Sequence, residues 1–289
     1  MTADRTDAKW ELPDDDTYAQ LLVLSDLWRE PSVREAIGEL NLPAGSRGLD
    51  AGCGIGQHSL WLADAVGSAG HVTGLDLSAD FVSRAAATAD KAGVSDRISY
   101  QQGDINQLPF EDDTFDWLWS ADTVYFGPSA EGYVAEDPAP LLGELARVVK
   151  PGGRIHLAYC SAQNLLPGYP ALEARLNTIS AETEPFVRQG RPGLHCLRAL
   201  EWLRTAGLEV LAACSKASCV QAPLDNELRE ALAGLLRWRW GSDPLSKLSE
   251  ADAVEYQRLC KPDSPDFILD LSDYYTFITC SVFSGRIGP

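Results

Sequence analysis

The chain has 289 residues, 45% of them hydrophobic, enough for one generous domain with insertions or two small ones. Its formal net charge of −18 disfavours nonspecific nucleic-acid binding, which needs cations to neutralise phosphates, and no apolar run approaches the ~18 residues of a membrane span. Seven cysteines, odd in number and without CxxC pairing, argue for reduced thiols, and the N-terminus carries no secretory pattern, so the expected setting is the cytoplasm.

Residues 1–16 are polar and read as loose. Thr17-Tyr18-Ala19-Gln20 resembles a capping box, followed by Leu21, Leu24 and Trp28 at helical spacing. Pro31 is expected to break that helix, and Ser32 to cap a second one with Val33, Ile37 and Leu40 on its apolar face. These helices, in an N-terminal extension of residues 1–44, serve either as a brace or as a cap over a ligand.

From Gly48 the rhythm becomes strand, helix, strand, helix. Helices are expected at 59–66, 80–92 and 141–149, and strands at 71–75, 98–102, 115–119 and 154–159. Lys150-Pro151-Gly152-Gly153 reads as a turn. Residues 161–195 read as loop plus a helix around 171–179, then a helix at 197–206 and a sixth strand at 208–211. A helical insert spans 220–265, with Asp225 and Ser249 as caps, and 273–283 forms the last strand. The alternation predicts an α/β protein. Its Rossmann-like sheet has seven strands, mostly parallel with the last antiparallel, and helices on both faces. Residues 45–219 and 266–289 would form that core, and the insert at 220–265 could act as a lid.

The chemistry begins at Gly48-Leu49-Asp50-Ala51-Gly52-Cys53-Gly54-Ile55-Gly56-Gln57-His58. A strand turning through glycine into a helix lets bare backbone approach a ligand and aims free N–H groups at it. A dinucleotide fingerprint and an adenosylmethionine fingerprint both fit such a turn. In the dinucleotide pattern the last glycine follows the second by three residues, whereas here glycines fall at 52, 54 and 56. A carboxylate at Asp50 would repel a pyrophosphate but suits a ligand carrying an ammonium group.

Together with Asp104, Leu108-Pro109-Phe110, Phe115-Asp116 and Leu145-Ala146-Arg147-Val148-Val149-Lys150-Pro151-Gly152-Gly153, the turn resembles class I S-adenosylmethionine-dependent methyltransferases, specifically the UbiE-like small-molecule branch. The resemblance covers roughly residues 45–160. It implies S-adenosyl-L-methionine as methyl donor and S-adenosyl-L-homocysteine as product. Asp50 is then expected to hold the methionine ammonium, directly or through water. Gly52, Gly54 and Gly56, with Cys53 filling space among them, give the methionine and ribose close approach. Asp76, twenty residues after Gly56, is expected to accept the ribose hydroxyls, Leu77 to flank the adenine, and Asp104 with Ile105 to recognise the adenine amino group.

Ser120, Ala121 and Asp122, ending the fourth strand, are expected to face the methionine end and the acceptor. Asp122 and His195 are the candidate proton acceptors, and Tyr125, Trp238 and Trp240 the candidate acceptor-lining residues; each has a packing reading beside the functional one. His58, His71 and His156 read as structural. The implied partner is a small-molecule O, C or N nucleophile, with no nucleic acid, no membrane and no metal; no motif specifies an oligomeric state. The rival readings are an NAD(P)-dependent oxidoreductase and a non-catalytic S-adenosylmethionine-binding regulatory subunit.

Overall fold

The computed structural model describes residues 15–240 and 247–289, so most of the loose N-terminus and the segment 241–246 of the insert lie outside the described residues. Seven strands form one sheet: β1 (Arg47–Ala51), β2 (His71–Asp76), β3 (Ile98–Gln102), β4 (Phe115–Ala121), β5 (Val149–Asn164), β6 (Glu209–Gln221) and β7 (Tyr275–Arg286). Their order is β3-β2-β1-β4-β5-β7-β6. Strands β1 to β5 pair in parallel, while β7 runs antiparallel between β5 and β6. The connections diverge between β1 and β4, so a crevice opens at the carboxyl ends of those two strands.

Among the helices, α1 (Asp15–Glu39), α2 (Gln57–Val66) and α3 (Ala79–Ala92) cover one face of the sheet, and α4 (Pro138–Arg147) and α7 (Ala199–Thr205) the other. Beyond β5 come α5 (Pro170–Ala181), the single turn α6 (Pro185–Arg188), α8 (Asn226–Trp240) and α9 (Glu250–Cys260). Each α/β unit folds for local reasons. Helix α3, for example, starts at Ser78, whose side chain accepts from Phe81 N, and stops at the left-handed Gly93. Gly48 of β1 is required by a neighbour: a Cβ there would lie 2.1 Å from the ring of Trp117 on β4.

Two expectations are corrected. Pro31 does not end the first helix; α1 is continuous over 25 residues. The proline removes one donor, and the next amide, Ser32 N, donates to Ser218 Oγ of β6 at 2.8 Å. Tertiary packing, with Val33 and Ala36 fully buried, holds the helix across the break. Strands β5 and β6 are also much longer than expected. In β5 the pairing with β4 jumps from Phe115↔Val149 to Trp117↔Arg154, so Lys150–Gly153 bulges out within the strand. β6 pairs with β7 along its whole length, from Glu209↔Arg286 to Gln221↔Tyr275.

Buried apolar side chains fall into three clusters, two lining the faces of the sheet. The third lies beyond the ends of β5 and β7 and joins Trp28 of α1 to Leu172 and Leu176 of α5, Leu232 and Leu236 of α8, and Tyr256 and Leu259 of α9. Helix α1 therefore belongs to the sheet through its C-terminal half and to the insert through Trp28. Trp28→Ala should cost about 3–5 kcal/mol in urea unfolding, while Leu27→Ala, at an exposed position, should stay within about 0.5 kcal/mol.

Candidate functional site

The glycine turn is clipped to the end of β2: Gly52 N and Cys53 N both donate to Leu75 O, at 2.8 and 2.9 Å. Its three glycines have separate duties. A Cβ on Gly52 would lie 2.3 Å from Thr123 Oγ1, and one on Gly56 would lie 2.6 Å from the Tyr100 hydroxyl. Those two serve packing. Gly54 faces open space, where a Cβ would meet only Leu22 Cδ1 of α1 at 3.4 Å. Cys53 is buried, and burial with the nearby Asp50 and Asp76 pushes its thiol well above the usual range, so it stays a neutral apolar filler.

The carboxylates at the strand ends are held differently. Asp76 accepts from Gly54 N through Oδ2 at 2.8 Å and from Ser78 N through Oδ1 at 3.0 Å. Each oxygen keeps a lone pair for a further donor. Leu77 beside it is 70% exposed, a large apolar surface awaiting a cover. Asp104 is exposed and uses only Oδ1, which accepts from Asn106 N and Nδ2 at 2.8 and 3.0 Å, leaving Oδ2 without a donor among the described residues. Ile105 packs inward beneath it.

Asp50 is more deeply placed. It is 1% exposed, and its Oδ2 accepts from Ser59 Oγ at 2.6 Å. Burial pushes its carboxyl up to about 7, only partly countered by the Ser59 hydroxyl.

Over this turn lies a polar face of α1 made of Tyr18, Asp26 and Arg29, with Leu22 among them. Their spacing of four, four and three residues puts them on one side of the helix. Tyr18 stacks near Phe81 of α3 at 5.7 Å. Burial raises its phenol, and so do the charges of Asp122 and Asp76. Arg29 is ion-paired with Asp122. Burial works against the guanidinium's charge, but Asp122, with smaller help from Cys160, Asp26 and Cys280, more than offsets it and its pKa is raised. Asp26, pushed up to about 7 mainly by burial, lies 4.0 Å from His58 Nε2. His58 accepts from Trp119 Nε1 at 3.3 Å and is driven down to about 3 by burial and Arg29, so it is neutral and this contact is not an ion pair.

Asp122 adopts φ +48°, and its other oxygen accepts from Tyr125 Oη at 3.1 Å and Cys160 N at 2.8 Å. One side chain thus joins α1, β4 and β5. Ala121 is half-buried at the end of β4. Ser120 does not face the crevice; it is buried, donating to Ala51 O at 2.7 Å to tie β4 to β1. Tyr125 packs edge-on against Tyr159 at 5.4 Å. His195 Nδ1 accepts from Leu197 N at 3.2 Å, capping a short helical turn, and its ring meets Phe186. Trp240 is a core residue, 1% exposed with Nε1 donating to Asn177 Oδ1 at 3.1 Å, because its helix face closes the third cluster. Trp238, 47% exposed, points outward.

The α1 residues are the part missed from sequence. Their signal was a polar stripe at helical spacing beside the apolar stripe of Leu21, Leu24 and Trp28.

A family model described as "Methyltransferase domain" matches residues 42–200. The chain is 37% identical over 128 residues to a demethylmenaquinone methyltransferase of Bacillus pumilus, covering 44% of this chain and 49% of that protein. It is 35% identical over 173 residues to the 27-O-demethylrifamycin SV methyltransferase of Amycolatopsis mediterranei, covering 60% and 57%. The alignments span about half or less of the length of the curated relatives first matched. A solved structure of a SAM dependent methyltransferase from Aquifex aeolicus has the same fold, with a TM-score of 0.52 at 21% identity over 71% of this chain and 94% of that one.

Asp50 sets a stability test. Its folded pKa lies above the unfolded value, so its contribution is fully present below about pH 3.8 and is lost as pH rises through about 7. Asp50→Asn should therefore raise the melting temperature of the ligand-free protein by roughly 2–6 °C at pH 8 and by much less at pH 4. Differential scanning calorimetry at the two pH values checks this; Asp26 is common to both proteins and cancels.

Proposed function

The chain belongs to the methyltransferase family, and from that premise we propose that it transfers a methyl group from S-adenosyl-L-methionine to a small-molecule oxygen, carbon or nitrogen nucleophile. The observation that carries the reading is the row along the ends of β1 to β3: the glycine turn tied through Gly54 N to Asp76, Leu77 exposed beside it, and Asp104 with one carboxylate oxygen without a donor among the described residues. Bound there, S-adenosyl-L-methionine supplies a methyl already activated on a sulfonium, transferred by in-line displacement.

In this reading the residues divide the ligand between them. Asp76 accepts the two ribose hydroxyls with the lone pairs that Gly54 N and Ser78 N leave free. Leu77 covers one face of the adenine, and Asp104 Oδ2 accepts its amino group. Asp50 draws the methionine ammonium, and that cation lowers the carboxyl's pKa below about 7, so donor binding releases protons near neutral pH. Helix α1 and the insert act as the lid, with Tyr18 and Leu22 over Gly54 excluding water and positioning the acceptor.

Asp122 serves as a positioning residue here, since Arg29, Tyr125 and Cys160 already occupy its oxygens. Where the acceptor must lose a proton, Asp26 is the better-suited base, being pushed up to about 7 within the same enclosed space. Among the described residues no helix is long and apolar enough to cross a membrane, and every cysteine is free, which supports a reducing cytoplasm as the working compartment.

Calorimetric titration should show binding of S-adenosyl-L-methionine and none of NAD or NADP. Asp76→Ala should weaken donor binding about 10- to 100-fold by removing acceptors for two hydroxyls. Binding of the nicotinamide nucleotide without the sulfonium compound would overturn the reading.

A further inference from the structure

Cys160 of β5 and Cys280 of β7 stand directly opposite each other in the antiparallel pairing of those strands. Opposed residues send their side chains to the same face of a sheet. Here it is the face under α1: Cys280 belongs to the cluster of Val33 and Ala36, and Cys160 packs against the cluster of Trp28. The spacing across the pair follows from the backbone. Ala158 O accepts from Asp122 N, and Cys160 N donates to Asp122 Oδ1 at 2.8 Å, so the Cys160 amide points toward β4 and away from β7. The two cysteines are therefore a non-hydrogen-bonded pair, in which opposed Cα atoms lie about 4.5 Å apart. A disulfide spans Cα separations of about 4.4–6.8 Å.

No other two of the seven cysteines are opposed in this way. Cys214 and Cys219 of β6 face Val282 and Phe277. Cys196 packs on the other face of the sheet, Cys53 lies in the glycine turn, and Cys260 ends α9. Cys160 is half-buried whereas Cys280 is 4% exposed, so a reagent in solution meets Cys160 first.

We propose that Cys160 and Cys280 are an oxidisable pair, closed to an intramolecular disulfide by a small disulfide such as glutathione disulfide and reopened by a dithiol. Cys160 loses its proton to water, and its sulfur attacks one sulfur of the oxidant. The S–S bond of the oxidant breaks, its electron pair leaving on a glutathione thiolate that takes up a proton. Cys280, deprotonated in turn, attacks the Cys160 sulfur of the mixed disulfide and expels the second glutathione. Two protein thiols are oxidised and one disulfide is reduced to two thiols. The closed bridge ties β5 to β7 at the residue whose amide Asp122 holds, beneath the helix that Arg29 fastens. This chemistry does not depend on what the crevice binds.

The surroundings set the pace. Burial and Asp122 push the Cys160 thiol up to about 12, Cys196 adds to the rise, and Arg29 and Arg239 draw it back. Burial and Asp122 also push Cys280 up to about 12, with Cys160 and Cys214 adding and Arg29 opposing. Both thiols are thus protonated near neutral pH, and closure is slow there. It quickens about tenfold per pH unit as the thiolate fraction grows.

The test incubates the full chain with glutathione disulfide at pH 7, 8 and 9, alkylates it under denaturing conditions and maps its peptides by mass spectrometry. The wild type should yield a peptide cross-linked between Cys160 and Cys280, lost on treatment with dithiothreitol, and forming about ten times faster per pH unit. Cys280→Ala should accumulate glutathione on Cys160 instead, while Cys160→Ala should leave Cys280 a free thiol. Free thiols at both positions in wild-type protein whose exposed Cys219 carries glutathione overturn the inference. A bridge from either residue to a different cysteine overturns it as well.

Discussion

The pair between Arg29 and Asp122 fastens the roof of the site to its floor. Surface ion pairs contribute little because water screens them, but this one is largely enclosed, and removing one partner of such a pair costs about 3–5 kcal/mol. Asp122 also accepts from Tyr125 and Cys160, so one carboxylate registers α1 against both β4 and β5. The position of Tyr18, Leu22 and Asp26 over the glycine turn follows from that anchor. So does the placement of Trp28 in the cluster that holds the insert.

The site's charges are arranged at the expense of the empty protein. Asp50 and Asp26 are carboxyls in enclosed surroundings, each displaced upward mainly by loss of water. Such groups reduce stability once ionised and recover it when a cation arrives. The neutral His58 packed between Trp61 and Trp119 adds no charge of its own, which leaves the carboxyls free to respond to a ligand.

The α/β units that carry the glycine turn were readable because their cues are local. Strand ends, glycine spacing and the acids at 50, 76 and 104 lie within short α/β units, where sequence neighbours are also spatial neighbours. The rest depends on distant partners. Strand β6 carries Ala212, Ala213, Ser215, Ala217 and Ser218, small residues with no strand signature of their own, and extends only because β7 pairs with all of it. Where helix α1 passes Pro31, the following amide of Ser32 is held by Ser218, far along the chain. Trp240 read as a possible acceptor wall because an aromatic residue looks alike in sequence whether it faces a ligand or a core; only packing separates the two. The polar stripe of α1 was present in the sequence but acquires meaning only opposite Asp122.

The division into three apolar clusters has an evolutionary consequence. The residues assigned to the donor occupy one uninterrupted stretch from Asp50 to Asp104, supported by the two clusters on the sheet faces. The roof is assembled from α1 and from segments after β5, and coheres through its own cluster. Recombination or insertion after residue 160 can therefore remodel the roof while the donor cradle keeps its backbone. Descendants of one ancestor can diversify what they methylate without relearning how to hold the methyl source.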